Sequence, residues 1–211
     1  MVYARQLAGN EALSAEQPTL KASQQQSPIE RVTQTGQAVE MSVHRCSPFV
    51  AQNLERVFPD WVLPVTTCRV IVVLQQSRYP LAETAPHIER EKDRLRERFI
   101  SFGSDVVRHL RARGFLTDLI DPRTGYPLLS RPGEIAHDDT AAVKALLGFP
   151  VIHNRCSVLE HPSWGSGIYP SILITSASSR AIMSVLKRVA LQHDWIVPQP
   201  KAELKLSLLE I

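Results

Sequence analysis

The sequence predicts an α+β domain, a two-layer sandwich in which a mostly antiparallel sheet is packed by helices. Three observations carry this reading. Val70-Ile71-Val72-Val73-Leu74 is a β-branched run short enough for a central strand. Residues 85–113 place apolar side chains three, four or seven apart among charged ones, the pattern of one long amphipathic helix. The other strand candidates are short and follow hairpin-type turns, which favours antiparallel pairing over a regular parallel fold.

The elements are justified in chain order. Residues 1–38 are rich in Gln, Ser, Thr and Ala, with Gln24-Gln25-Gln26 near the centre. So few large apolar residues cannot offset the entropy of ordering, and a disordered tail is expected. Residues 1–10 carry Arg5 and no acid, compatible with an organelle-targeting start, but Glu11 and Glu16 follow closely. A secretory signal is excluded for lack of an apolar core.

The folded domain is expected over residues 39–197. Ser47 is an N-cap ahead of Pro48, and Phe49, Val50, Leu54, Val57 and Phe58 recur at helical spacing, so a helix is predicted over 48–58. A strand follows over 66–75. The long helix of about 28 residues, roughly 42 Å, buries Ile88, Leu95, Phe99, Phe102, Val106 and Leu110. Gly103 inside it marks a place for a bend, and Gly114 is its left-handed C-cap. Residues 115–120 read as a strand, 121–125 as a turn and 126–129 as a return strand. After a loop over 130–138, Asp138 or Asp139 caps a helix over 140–147 that Gly148 ends. Residues 156–160 and 168–175 read as strands joined by the 161–167 loop. Ser178 or Ser179 starts the last helix, with Ile182, Val185, Leu186 and Val189 as its buried face. Residues 198–211 read as an extension with an edge strand.

The totals exclude several function classes. With 211 residues, 44% hydrophobic and 21% charged, the chain has a globular composition. A core of that size buries about 70% of its unfolded surface and needs neither a disulfide nor a metal. The net charge of +3, with arginines interleaved among acids, offers no basic face for nucleic acid. No apolar run approaches the ~20 residues of a membrane span. Cys46, Cys68 and Cys156 are odd in number, widely spaced and without a Cys-x-x-Cys pair. That argues against structural zinc and for reduced thiols in an intracellular compartment.

Cys156 is the leading candidate for chemistry. A thiol acts as nucleophile or metal ligand only as thiolate, and Arg155 beside it and His161 beyond it are cations that would favour that form. The alternative is a buried structural cysteine. The segment His161-Pro162-Ser163-Trp164-Gly165 reads either as a ligand platform, its indole supplying stacking area, or as a structured strand connection. Cys46 is expected to pack beneath the helix that follows it, and Cys68 to lie in the core. Asp118 and Asp121 fall on opposite faces of a strand, so a paired acid and base is disfavoured and an Asx turn at Asp121 is expected. There is no Gly-rich phosphate loop, no Gly-x-Ser-x-Gly elbow and no His-x-x-x-His pair. Ser184 and Lys187 match Ser-x-x-Lys without any accompanying motif.

Several combinations are uncommon enough to be specific: Cys46 with Phe58-Pro59; Ile88-Glu89-Arg90-Glu91; Arg113-Gly114-Phe115 with Asp118; Ile120-Asp121-Pro122; Gly148-Phe149; Cys156-x-Val158; and His161 with Trp164-Gly165. From about His44 to Ser184 the chain resembles the cobalamin-trafficking proteins of the cblD class (the MMADHC family). The resemblance implies a nitroreductase-like domain that has lost flavin binding and is not an enzyme. It implies an adaptor that docks onto a cblC-type cobalamin-processing protein. The adaptor directs cobalamin to methionine synthase in the cytoplasm or to methylmalonyl-CoA mutase in the mitochondrion. It further implies a cysteine thiolate coordinating cobalt in the shared complex, a role for which soft sulfur is suited. Here that role is expected of Cys156, with His161 and Trp164 shaping the cofactor-binding loop. Animal members carry two adjacent cysteines where this chain has Arg155-Cys156, and the loop over 152–155 is one residue shorter. The rival reading on the same fold is a flavin-dependent nitroreductase-like oxidoreductase. It requires cationic phosphate contacts, and no arginine cluster lies near the start of the domain. Homodimerisation stays open.

Overall fold

The β-branched run becomes the centre of the sheet. The computed structural model describes residues 29–32, 37–62, 64–153 and 157–195. In chain order the elements are β1 (Ile29–Val32), β2 (Ala38–Arg45), α1 (Pro48–Val57), β3 (Arg69–Gln76), α2 (Pro86–Arg111) and β4 (Thr117–Leu119). There follow α3 (Asp139–Leu147), β5 (Val151–His153), β6 (Ser157–Leu159), β7 (Ile168–Thr175) and α4 (Ser179–Gln192). One sheet has the order β1-β2-β3-β7-β4 with every pair antiparallel, and β5 and β6 form a separate hairpin. No helix among the described residues is long and apolar enough to cross a membrane.

The antiparallel α+β class is as expected, but the layer count is three. Val39, Met41, Val43, Ile71, Val73, Leu119 and Leu173 pack against Phe99, Phe102, Val106 and Leu110 of α2 and Ile182, Val185 and Val189 of α4. The alternate residues Val70, Val72, Leu74, Ile172 and Ile174 meet Val50, Leu54 and Val57 of α1 and Ala142 and Val143 of α3. A strand that is apolar at consecutive positions has two faces to bury, so helices cover both.

The helix ends follow their caps. Ser47 accepts from Val50 N at 3.3 Å with Pro48 in the first turn. Asp138 accepts from Ala141 N at 2.9 Å, and Ser178 caps α4. α2 runs through Gly103 as one continuous helix. A Cβ there would stand 3.1 Å from Leu119 Cδ1, so glycine lets the helix approach β4 closely.

Other expectations are corrected. β1 lies inside the segment read as a disordered tail, and β2 begins one residue before the expected start of the fold. The rest of that tail and the extension over 198–211 lie outside the described residues. The return strand over 126–129 amounts to one bridge, Ile120 with Pro127, and two backbone hydrogen bonds, from Leu128 N to Leu119 O and from Asp121 N to Tyr126 O. The expected free thiols of Cys46 and Cys68 are joined in a disulfide, with Cα atoms 5.6 Å apart. Its origin is the register: Arg45 pairs with Arg69, so the next residues outward on the two strands are the two cysteines.

The acids near β4 are held structurally. Asp121 accepts two bonds from Arg96, at 2.6 and 2.8 Å, and one from Arg123 N at 3.0 Å, which makes the Asx turn. Asp118 is fully buried and accepts from Leu129 N at 3.1 Å, with Arg111 alongside at 3.4 Å. Ser184 and Lys187 are exposed on α4.

Candidate functional site

His161 and Trp164 lie on the loop that follows the hairpin β5–β6. Val151 pairs with Leu159, Ile152 with Val158 and His153 with Ser157. At its base Leu159 is buried in the core beneath α1 and α3, with Phe149 and Val151 packed against the same cluster. Toward the tip, Ile152, His153 and Ser157 are exposed. Cys156, together with Asn154 and Arg155, lies outside the described residues.

Past β6 the chain is locked by His161. Its backbone exchanges two hydrogen bonds with Gly165, at 2.8 and 2.9 Å. Its ring is buried, and Nδ1 accepts from Ser163 N at 3.1 Å and from Trp164 N at 3.2 Å. An Nδ1 that accepts leaves the proton on Nε2, which faces Glu40 Oε1 of β2 at 3.2 Å. The Trp164 indole stacks on the imidazole with centroids 4.0 Å apart, and Phe149 meets it edge-on at 5.1 Å. Both ring nitrogens are therefore occupied. In this arrangement His161 fixes the loop and Trp164 against the sheet and has no lone pair left for a metal. Among the described residues no group of three or more His, Cys, Asp and Glu is placed to hold a metal ion.

Sequence reasoning had singled out His161 and Trp164 but missed Glu40 and Phe149. The available signal was an acid between Val39 and Met41 in an alternating strand, a position that is half-buried in the sheet and needs a partner. Close by on the same face, His44 Nε2 lies 2.7 Å from Ser42 Oγ, and burial pushes the His44 imidazole below its usual value.

The class defined is an antiparallel α+β sheet carrying a hairpin of its own, in which His161 and Asp121 hold a loop and a turn. The family model described as methylmalonic aciduria and homocystinuria type D protein matches residues 5–187, and the chain belongs to that family. Similar curated proteins bear the name cobalamin trafficking protein CblD. The one from Rattus norvegicus is 25% identical over 142 residues, 67% of this chain and 47% of the relative. That from Mus musculus is 24% identical over 153 residues, 72% and 50% of the two chains. That from Homo sapiens is 25% identical over 141 residues, 66% and 47%. The chain thus spans about half the length of the curated relatives it matches.

Proposed function

We propose that this chain is a non-enzymatic adaptor in cobalamin trafficking. It docks onto a cblC-type processing protein that carries the cobalamin, and it directs that cargo toward methionine synthase or methylmalonyl-CoA mutase, in the cytoplasm, the mitochondrion or both. In the shared complex the Cys156 thiol loses its proton and the sulfur donates an electron pair to cob(II)alamin as an axial ligand, with no change of oxidation state. His161 and Trp164 hold the supporting loop. The observation that supports this reading is the exposure of His153 and Ser157, the described residues nearest Cys156 in sequence, on a hairpin anchored by Leu159. A ligand for a metal carried by another protein has to be offered at a surface. The family membership and the names of the relatives support the cargo.

The test mixes the protein with a cobalamin-loaded cblC-type protein under reducing conditions and compares absorption and electron spin resonance for wild type, Cys156→Ala and Cys46→Ala. A cobalt–thiolate signature lost only in Cys156→Ala is the expected result. A signature that survives in Cys156→Ala removes the ligand assignment and leaves docking alone. Absence of complex formation removes the adaptor reading. A yellow protein with stoichiometric flavin would replace it with the reductase.

A further inference from the structure

The turn after β3, the residue before β2 and one face of α2 bring three arginines around a single carboxylate. Glu91 of α2 is buried and both its oxygens are engaged: Arg94 Nε and Nη2 donate to it at 2.7 and 2.6 Å, and Arg78 N at 3.0 Å. Burial alone would push this carboxyl up, but those bonds hold it below its usual value. Gln37 is also buried. Its Nε2 is pinned to Gln76 O at 3.0 Å, which leaves Oε1 to accept from Arg94 Nη2 at 2.9 Å. Arg98, one turn further along α2, pairs with no carboxylate among the described residues. Its guanidinium reaches Gln37 Oε1 only at 3.5 Å and lies over the Trp195 ring, 5.5 Å from the centroid. The exposed Arg78 side chain makes no hydrogen bond or ion pair with a described residue.

Three guanidinium charges against one carboxylate leave two in excess. Like charges four residues apart on a helix repel, so helix formation does not call for Arg98 beside Arg94. Arg98 is half-buried, and burial first, then the Arg94 charge and more weakly that of Arg78, pushes its guanidinium down against the pull of Glu91. A desolvated cation without a counter-ion is costly, and the Trp195 face offsets only part of that cost. The sequence does not display this cluster. Residue 78 lies outside α2, and only the fold carries it to Glu91.

We propose that Arg78 and Arg98 bind a phosphate group, with Arg94 adding charge behind them. The two negative charges of inorganic phosphate or of a phosphate monoester match the excess, and the N–H pairs of a guanidinium fit phosphate oxygens two at a time. The anion supplies the counter-charge and the acceptors that Arg98 lacks. It comes either as the free ion or esterified to a small molecule. The site is independent of Cys156 and of the cobalamin reading.

The full chain is titrated in physiological salt with inorganic phosphate, with phenyl phosphate and with the singly charged diester dimethyl phosphate, followed by calorimetry and by tryptophan fluorescence. Phosphate is expected to saturate and to bind about tenfold more tightly than dimethyl phosphate, the factor carried by one charge-assisted hydrogen bond. Because Arg98 lies over the Trp195 ring, the fluorescence response is expected to vanish in Trp195→Phe while calorimetric binding persists. Arg98→Gln and Arg78→Gln are each expected to weaken phosphate about tenfold. The Arg78 side chain holds no part of the fold, so Arg78→Gln carries the test should Arg98→Gln fail to fold. Tighter binding of phenyl phosphate than of phosphate identifies an esterified ligand as the source, and equal or weaker binding identifies the free ion. Both support the shared chemistry. Equal binding of phosphate and dimethyl phosphate, no saturable binding of either, undiminished binding in Arg78→Gln, or a fluorescence response that survives in Trp195→Phe overturns it.

Discussion

Gly125→Ala and Gly114→Ala separate two costs that a glycine substitution usually mixes. Both glycines sit in the left-handed region, at φ +73° and +82° respectively. An alanine at either position meets that backbone penalty of about 1 kcal/mol, partly offset by the stiffer unfolded chain. At Gly114 there is nothing else, since no atom lies within 4 Å of an added Cβ. At Gly125 the Cβ would stand 2.4 Å from His137 O and 3.0 Å from Ala136 Cβ. The obstacle is backbone and cannot swing away, and Gly125 O accepts from His137 N at 2.7 Å, so separating the segments breaks a hydrogen bond. Overpacking together with that bond adds about 2 kcal/mol. Urea unfolding of the two variants beside wild type is expected to place Gly125→Ala about 2 kcal/mol below Gly114→Ala, a melting temperature about 4–8 °C lower for a domain of this size. Equal losses in the two variants would refute the contact between the β4 turn and the approach to α3.

The Arg96 guanidinium, more than any other neighbour, holds the Asp121 carboxyl below the usual carboxylate range, against the opposing effect of burial. Because the folded value is the depressed one, the stabilisation is complete above the ordinary value of about 4 and is lost as pH falls through that value toward the folded one. Asp121→Asn is expected to cost about 2 kcal/mol at neutral pH and to flatten the acid limb of a stability–pH curve; an unchanged limb would contradict the pairing. Reducing Cys46–Cys68 reopens a loop of sequence separation 22, with an expected loss of about 3 kcal/mol. Thermal melting with and without reductant measures it, and Cys46→Ser/Cys68→Ser should melt alike under both conditions.

Short-range features were legible and cross-chain ones were not. The apolar stripe of α2 and the Ser47, Asp138 and Ser178 caps act within a few residues, so the sequence displays them directly. β2 was missed because Glu40, Ser42 and His44 break its apolar run, although alternation with Val39, Met41 and Val43 was the signal. β5 is three residues long and finds its partner only through the hairpin. The pairing of Cys46 with Cys68 depends on strand register, and that of His161 with Glu40 joins residues far apart in sequence that only the folded sheet brings together. Of the candidate site, the imidazole and indole were visible as a local cluster; what they are spent on was not. The His137–Asp139 pair was read as loop and cap because Asp138, the true cap, sits between them.

The β5–β6 ribbon pairs only with itself, apart from the five-stranded sheet. Residues can thus be gained or lost at its turn without shifting any rung of the central ladder. A chain one residue shorter there can re-aim what it presents to a visitor while its scaffold stays put, and a foreign peptide spliced between His153 and Ser157 should leave the body of the protein intact.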